Sequence, residues 1–267
     1  MSRLELIGPQ GLRTDGRRFN ELRNMNCKPS VLSQADGSAY IEQGNTKCLA
    51  AVYGPREVLH CSYSFILNYL INQILILLLL QARTKAQVLH NRANINVEIS
   101  LAPFSMEERK KRSKSDKRIL EIASAVKQTF EPIIMTELYA RSQIDIYLQI
   151  LQFDGGTVQI CINAATLAII DAGIPMKDYV CACSAGCIDD EPVLDLNHLE
   201  ESNTPELTVA LLPKNDKITL LQMESRLHID KFQQVMEMAA KGCKEIHTVL
   251  DKAVRENIKD LLKKSSI

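Results

Sequence analysis

The chain has no excess of charge of either sign. Its 267 residues carry 32 Lys and Arg against 32 Asp and Glu, so the formal net charge is zero. Any affinity for nucleic acid must therefore come from a local patch rather than from the overall field. Apolar residues make up 46% of the chain and charged residues 24%, which are ordinary fractions for a globular protein. The length allows one large core or two small lobes.

The cysteines lack the spacing of a metal site. There are eight, and the closest pair, Cys181 and Cys183, is separated by one residue within an apolar alternating segment. One residue is too short a spacer for a zinc knuckle. We therefore expect reduced, mostly buried thiols in a cytosolic or nuclear compartment, with no metal and no cofactor. The first 20 residues also lack the apolar core of a signal peptide.

Two turn signals in residues 35–55 predict a β-hairpin. Asp36-Gly37-Ser38 is the first, because glycine supplies positive φ and Asp and Ser bond their own backbone. Alternating apolar residues follow, and Gly44-Asn45 is a second turn signal at hairpin distance. A short apolar strand then runs from Cys48 to Tyr53 and stops at Gly54-Pro55.

Periodicity predicts the remaining elements and an α+β chain with a mixed sheet. A helical period covers Ile119 to Ile134, and a second helix follows the Asp154-Gly155-Gly156 turn and runs to Asp171. A third helix is expected from an N-cap at Asp230 to about Leu262. Strands are predicted at Asn94–Leu101, Ile144–Ile150, Tyr179–Ile188, Leu207–Leu212 and Ile218–Met223.

Several ordered motifs resemble the ribonuclease PH superfamily. They are Arg13-Thr14-Asp15-Gly16-Arg17, the 35–55 hairpin, Phe104–Arg112, Arg141–Thr157, Asn163–Gly186 and Leu194–Glu201. The resemblance implies a β-α-β-α fold (ribosomal protein S5 domain 2-like), with a first half at 12–155 and a second half at 156–262 that together form effectively one domain. Within the superfamily, the motifs are most similar to those of exosome ring subunits.

One segment does not fit this resemblance. Residues 58–82 contain no charged side chain, and their length suits a bilayer span. Asn68, Asn72 and Gln73 argue against a span, because amides are costly at mid-bilayer. Removing about 21 residues (60–80) would restore the short loop expected of the family. Our hypothesis is a translated intron or gene-model artefact. A genuine insertion and a membrane segment at 62–80 are the alternatives.

The resemblance also locates the residues that would carry chemistry. In active relatives, phosphate binds at a Gly-Gly-Thr/Ser-Arg helix start, and a pair of aspartates supplies the acid. Here the helix start keeps Gly155, Gly156 and Thr157 but has Val158 in place of the arginine. Each charge-assisted bond is worth about 1.5–3 kcal/mol, so its loss indicates a subunit without turnover.

The acid pair corresponds to Asp195 and Glu201. Glu201 is one methylene longer than the residue expected there, and a misplaced acid loses most of its effect. We therefore treat both as vestigial catalytic candidates. Two alternatives stay open. One is that the two residues are solvated turn carboxylates, and the other is that the chain is an active phosphorolytic 3′→5′ exoribonuclease.

A basic run is the candidate for a local patch that could bind nucleic acid in a chain of zero net charge. Its cations are Arg109, Lys110, Lys111, Arg112, Lys114, Lys117 and Arg118. In isolation the run is typical of a solvated loop or a nuclear-localisation signal. The resemblance places it beside the RNA path and makes RNA-binding candidates of Arg109, Lys114, Lys117 and Arg118. Arg83 and Lys85 would lie in a pore-neck loop, or would otherwise be plain surface charge.

Together these features predict a non-catalytic RNA-binding subunit of the exosome ring. The resemblance implies RNA as ligand and another ribonuclease PH-like subunit, of the ribosomal RNA-processing protein 45 type first, as ring neighbour. It also implies exosome cap subunits and a separate hydrolytic exoribonuclease as partners, and no membrane. The expected localisation is the nucleus, nucleolus and cytoplasm.

Overall fold

The computed structural model describes residues 6–8, 11–57, 91–106, 109, 116–188, 191–223 and 225–265. The uncharged run at 58–82 lies outside these residues, so the hypotheses about it stay predictions. Within the described part of the chain, no helix is long and apolar enough to cross a membrane.

The predicted hairpin forms the middle of a five-stranded sheet. Its strands are β1 (Met25–Pro29), β2 (Gly37–Gln43), β3 (Thr46–Glu57), β4 (Asn94–Leu101) and β5 (Ser142–Gln152). They lie in the order β1-β2-β3-β5-β4. The β4–β5 pair is parallel and the other pairs are antiparallel. The prediction of an α+β fold with a mixed sheet is therefore confirmed.

A second sheet has four antiparallel strands. They are β6 (Cys181–Ile188), β7 (Glu191–Leu194), β8 (Glu206–Leu212) and β9 (Lys217–Met223). Their order is β7-β6-β8-β9. Periodicity predicted β6, β8 and β9 but neither β7 nor β1, because four or five residues are too few to show an alternation above chance.

The described helices are α1 (Lys117–Phe130), α2 (Thr157–Asp171), the single turn α3 (His198–Glu201) and α4 (Ile229–Ser265), with a 3-10 turn at Thr136–Tyr139. The predicted end of α1 at Ile134 was wrong. Glu131 still has helical geometry and donates its N–H to the carbonyl of Lys127, but the next residue, Pro132, has no backbone N–H with which to continue the helix. Asp230 lies in the first turn of α4 rather than at its N-cap, and its charge still suits the helix N-terminus.

Helix α2 lies between the two sheets and fixes the position of its own N-terminus. It packs against β2 and β3 on one side and β6 on the other. Inside this layer, Asn163 exchanges two hydrogen bonds with the backbone of Ala182 (3.0 and 2.9 Å). Thr166 donates to the carbonyl of Val180 at 2.9 Å. Five of the seven described cysteines are buried.

Candidate anion and RNA site

The site begins at the two glycines that precede α2. Gly155 and Gly156 have φ of +78° and +67°, in the left-handed region that favours glycine. A Cβ on Gly155 would lie 2.7 Å from the backbone carbonyl carbon of Asn197 and from the backbone nitrogen of His198. The first N–H groups of α2 are thereby brought against the loop at 195–201. We call this helix start, formed by Gly155, Gly156 and Thr157, the cradle.

Asp195, the first candidate acid, is fully buried. Its carboxylate accepts hydrogen bonds from the backbone N–H of Arg23 (2.8 Å), from the Arg23 guanidinium (2.7 Å) and from Nε2 of Gln159 (2.8 Å). Burial alone would raise its pKa, but the charge and hydrogen bonds of Arg23 lower the pKa of Asp195 to about 2. Asp195 is therefore ionised at neutral pH and serves as the counterion of Arg23.

Two further arginines from the N-terminal segment bind the same loop. Arg13 forms a two-pronged ion pair with the buried carboxylate of Glu200, including an Nε–Oε1 bond of 2.8 Å, and it also donates to the carbonyl of Asp195 at 2.8 Å. Arg17 donates to the same carbonyl at 3.1 Å and to Oδ1 of Asn197 at 3.1 Å. The inner side of the loop is thus held by three guanidinium groups.

Sequence reasoning had not assigned Arg13, Arg17, Arg23 or Glu200 to this site. Arg13 and Glu200 are 187 positions apart, and no local pattern connects them. The signal that could have found them is the density of arginine in 13–23, in a stretch without helical or strand periodicity.

Glu201, the second candidate acid, has different surroundings. One carboxylate oxygen accepts the backbone N–H of Gly156 at 3.3 Å, and the other accepts from the Arg118 guanidinium at 3.2 Å. Its side chain is 12% exposed, whereas that of Arg118 is 62% exposed. With Asp195 buried and Glu201 mostly buried, the alternative that they are solvated turn carboxylates was wrong.

A small cavity opens beside the cradle. Arg118 and Glu201 line it together with Thr157 and Val158 of α2, and Ile122, Glu206, Thr208 and Gln222 complete its wall. Val158 packs partly against the core and brings no donor to this cavity. Oxygen acceptors therefore outnumber cations on the described wall.

The predicted RNA-binding cations are only partly brought to this site. Lys117 and Arg118 open α1 and are exposed, and Arg118 reaches the cradle through Glu201. Arg109 is exposed, but no described contact joins it to the cradle. Lys114, Arg83 and Lys85 lie outside the described residues, so their assignments stay predictions.

The acid pair does not fit a bound metal ion. Both oxygens of Asp195 already accept hydrogen bonds from Arg23, and a cation would have to displace that guanidinium. Across the described residues there is no group of three or more His, Cys, Asp or Glu side chains that could hold a metal.

The chain belongs to the 3′ exoribonuclease family. The model of that family's domain 1 matches residues 21–175, and the model of its domain 2 matches residues 178–242. The two matches together cover most of the chain, and the resemblance inferred from the motifs is confirmed.

Individual proteins and solved structures are also similar to this chain. The chain is 48% identical over 261 residues to exosome complex component RRP41 of Bos taurus, with 97% of each protein covered. Two solved structures share the fold. Rice (Oryza sativa) Rrp46 has a TM-score of 0.74 at 23% identity, covering 91% of this chain and 100% of that one. The Archaeoglobus fulgidus exosome with RNA bound to the active site has a TM-score of 0.70 at 18% identity, covering 90% and 92%.

Proposed function

We propose that the chain is a non-catalytic ring subunit of the RNA exosome, which binds RNA in the central channel and supports 3′→5′ RNA processing and degradation, including rRNA maturation and mRNA turnover. Relatives that are similar over nearly the whole chain are named exosome complex components. The membership in the 3′ exoribonuclease family supports RNA as the ligand class.

The observation that carries the non-catalytic assignment is Val158. Phosphorolysis needs inorganic phosphate held by cations and by backbone N–H groups. The cradle keeps the backbone N–H groups, but Val158 faces the adjacent cavity with an apolar side chain. Losing a pair of charge-assisted bonds, at about 1.5–3 kcal/mol each, lowers phosphate affinity on the order of a hundredfold or more.

The state of Asp195 supports the same conclusion. A general acid works best when its pKa lies near the operating pH. The pKa of Asp195 is lowered to about 2, so at neutral pH this group has no proton to give to a leaving oxygen.

The second candidate function is an active phosphorolytic 3′→5′ exoribonuclease that uses Asp195 and Glu201. The observation in its favour is the retained backbone of the cradle, where Gly155 and Gly156 bring the start of α2 close to the loop at 195–201.

In the assembled ring, the proposed neighbour is another ribonuclease PH-like subunit, of the ribosomal RNA-processing protein 45 type first. Cap subunits and a hydrolytic exoribonuclease would complete the complex, in the nucleus, nucleolus and cytoplasm. RNA phosphates would contact Arg109, Lys114, Lys117 and Arg118, with Arg83 and Lys85 at the pore neck. The 48% identity to an exosome complex component supports membership of such an assembly.

The test is phosphate-dependent RNA trimming by the purified chain, alone and with its ring neighbour. We expect no release of nucleoside diphosphates when inorganic phosphate is added. Phosphate-stimulated trimming that disappears in Asp195→Ala and in Glu201→Gln would instead establish the exoribonuclease. Both variants are needed because Asp195 is buried in an ion pair, so its replacement alone could act through folding.

A further inference from the structure

Glu201 is held at the cradle by the backbone, independently of Arg118. Gly156 is the N-cap residue of α2 and receives no side-chain capping bond from its own segment. The start of a helix attracts anions, because its N–H groups lack partners and the helix dipole is positive there. The carboxylate of Glu201 fills this role from a separate element, at 3.3 Å from the Gly156 nitrogen.

Arg118 is the solvent-exposed partner of the pair. Its side chain is 62% exposed against 12% for Glu201, and its guanidinium donates to the carboxylate oxygen that faces away from Gly156. Arg118 follows the exposed Lys117 at the start of α1. A guanidinium at that place would bind an RNA phosphate with the same donors that it now gives to Glu201.

We infer that Glu201 is an intramolecular competitor of RNA: its carboxylate occupies the cradle and engages Arg118, so that an RNA phosphate must displace it to bind Arg118. The inference rests on the proposed RNA-binding function and concerns the regulation of that site. As a consequence, the affinity for RNA at this site is lower than the cations alone would give.

The size of the effect follows from the exposure of the pair. The Arg118 side chain is 62% exposed, so solvent screens its ion pair with the mostly buried Glu201, and neutralising Glu201 should raise the affinity for RNA about two- to fivefold. One newly available phosphate contact should also steepen the log–log dependence of affinity on salt by roughly 0.7 for a single strand.

The experiment measures binding of a single-stranded oligouridylate to the assembled ring across a salt series. It compares the unchanged subunit, Glu201→Gln, Arg118→Ala and the double variant. Gln keeps the shape and can still accept the Gly156 N–H. Glu121→Gln is the matched control, because it removes the same charge from an exposed position of α1. We expect tighter binding and a steeper salt slope in Glu201→Gln only, and no gain in the double variant.

The outcomes separate this inference from the proposed function. If the unchanged ring fails to bind the oligonucleotide, the proposed function is wrong. If the ring binds it but Glu201→Gln leaves affinity and slope unchanged, or Glu121→Gln gives an equal gain, the competition is refuted. The same follows if Arg118→Ala costs as much affinity in the unchanged background as beside Glu201→Gln, because Arg118 would then already bind RNA.

Discussion

Asp195 and Glu201 stand at the two ends of one short loop, and their surroundings differ at almost every point. Asp195 is buried and accepts two hydrogen bonds from Arg23. Glu201 faces a cavity, binds one backbone N–H and pairs with the exposed Arg118. Two acids that form one motif in the sequence thus have separate tasks. We call the Asp195 side the inner end, which holds the fold together, and the Glu201 side the outer end, which faces the proposed RNA-binding surface.

The largest expected effect is on the inner end. Asp195→Asn leaves the guanidinium of Arg23 buried without a counterion, which should lower the free energy of unfolding by about 3–5 kcal/mol. Urea denaturation of the purified chain measures this loss. A loss below about 1 kcal/mol would remove the distinction between the two ends.

Acid should weaken the inner end next. The pKa of Asp195 is about 2 in the folded protein, below its ordinary value of 3.8. The stabilisation is therefore fully present above about pH 4 and is lost as the pH falls toward 2, by about 2–3 kcal/mol in all. Stability curves between pH 5 and 2 should fall less steeply in Asp195→Asn than in the unchanged chain, and parallel curves would contradict the assignment.

A third prediction concerns the contact that joins the cradle to this loop. Gly155→Ala would place a Cβ 2.7 Å from the backbone of Asn197 and His198. Gly173→Ala is the control, because its φ is similar (+70°) and no atom lies within 4 Å of the new Cβ. Both changes carry backbone strain, so we expect Gly155→Ala to cost about 1–3 kcal/mol more from crowding. Equal melting temperatures would show that the close approach is unimportant.

The outer end should respond in RNA binding rather than in stability. Replacing Lys114, Lys117 and Arg118 with Gln should weaken RNA binding by the ring and flatten its salt dependence by roughly 0.7 per lost contact. Glutamine at three exposed lysines of α4, Lys241, Lys252 and Lys259, is the matched control. If the two sets of changes act alike, general charge rather than this surface is responsible.

The smallest effect is expected from Glu201→Gln on folding. The variant loses an anion at a helix N-terminus and one exposed ion pair, which together should change the free energy of unfolding by about 0.3–1 kcal/mol. The same urea titration as for Asp195→Asn measures it. A loss as large as that of Asp195→Asn would show that Glu201 stabilises the fold and would contradict its assignment to the proposed RNA-binding surface.

Local chemistry explains which parts of the fold could be predicted from the sequence. The turn at Gly44-Asn45 joins β2 and β3 as its composition predicts, and the apolar alternation of 144–150 is the middle of β5. The cradle was also located, because glycines before a long apolar segment indicate a helix start. These features depend on neighbours a few residues away, so their signals are local.

The surroundings of the two acids could not be predicted in the same way. Asp195 and Glu201 are six positions apart in one motif, and nothing local tells which is buried. The difference comes from Arg13 and Arg23, whose partners lie 187 and 172 positions away. Ion pairs at such separations depend on how whole sheets pack together. No periodic pattern in a single sequence indicates them.

Arg13, Arg17 and Arg23 connect parts of the chain that are synthesised far apart in time. Their partners at 194–200 are synthesised more than 170 residues later. Until then the guanidinium groups must stay in water. Closing a loop of this length costs only about 4–5 kcal/mol of chain entropy, so several charge-assisted bonds can offset it. A chain truncated after residue 175, where the match to the first family domain ends, would therefore lack the groups at 194–200 that bind Arg13, Arg17 and Arg23.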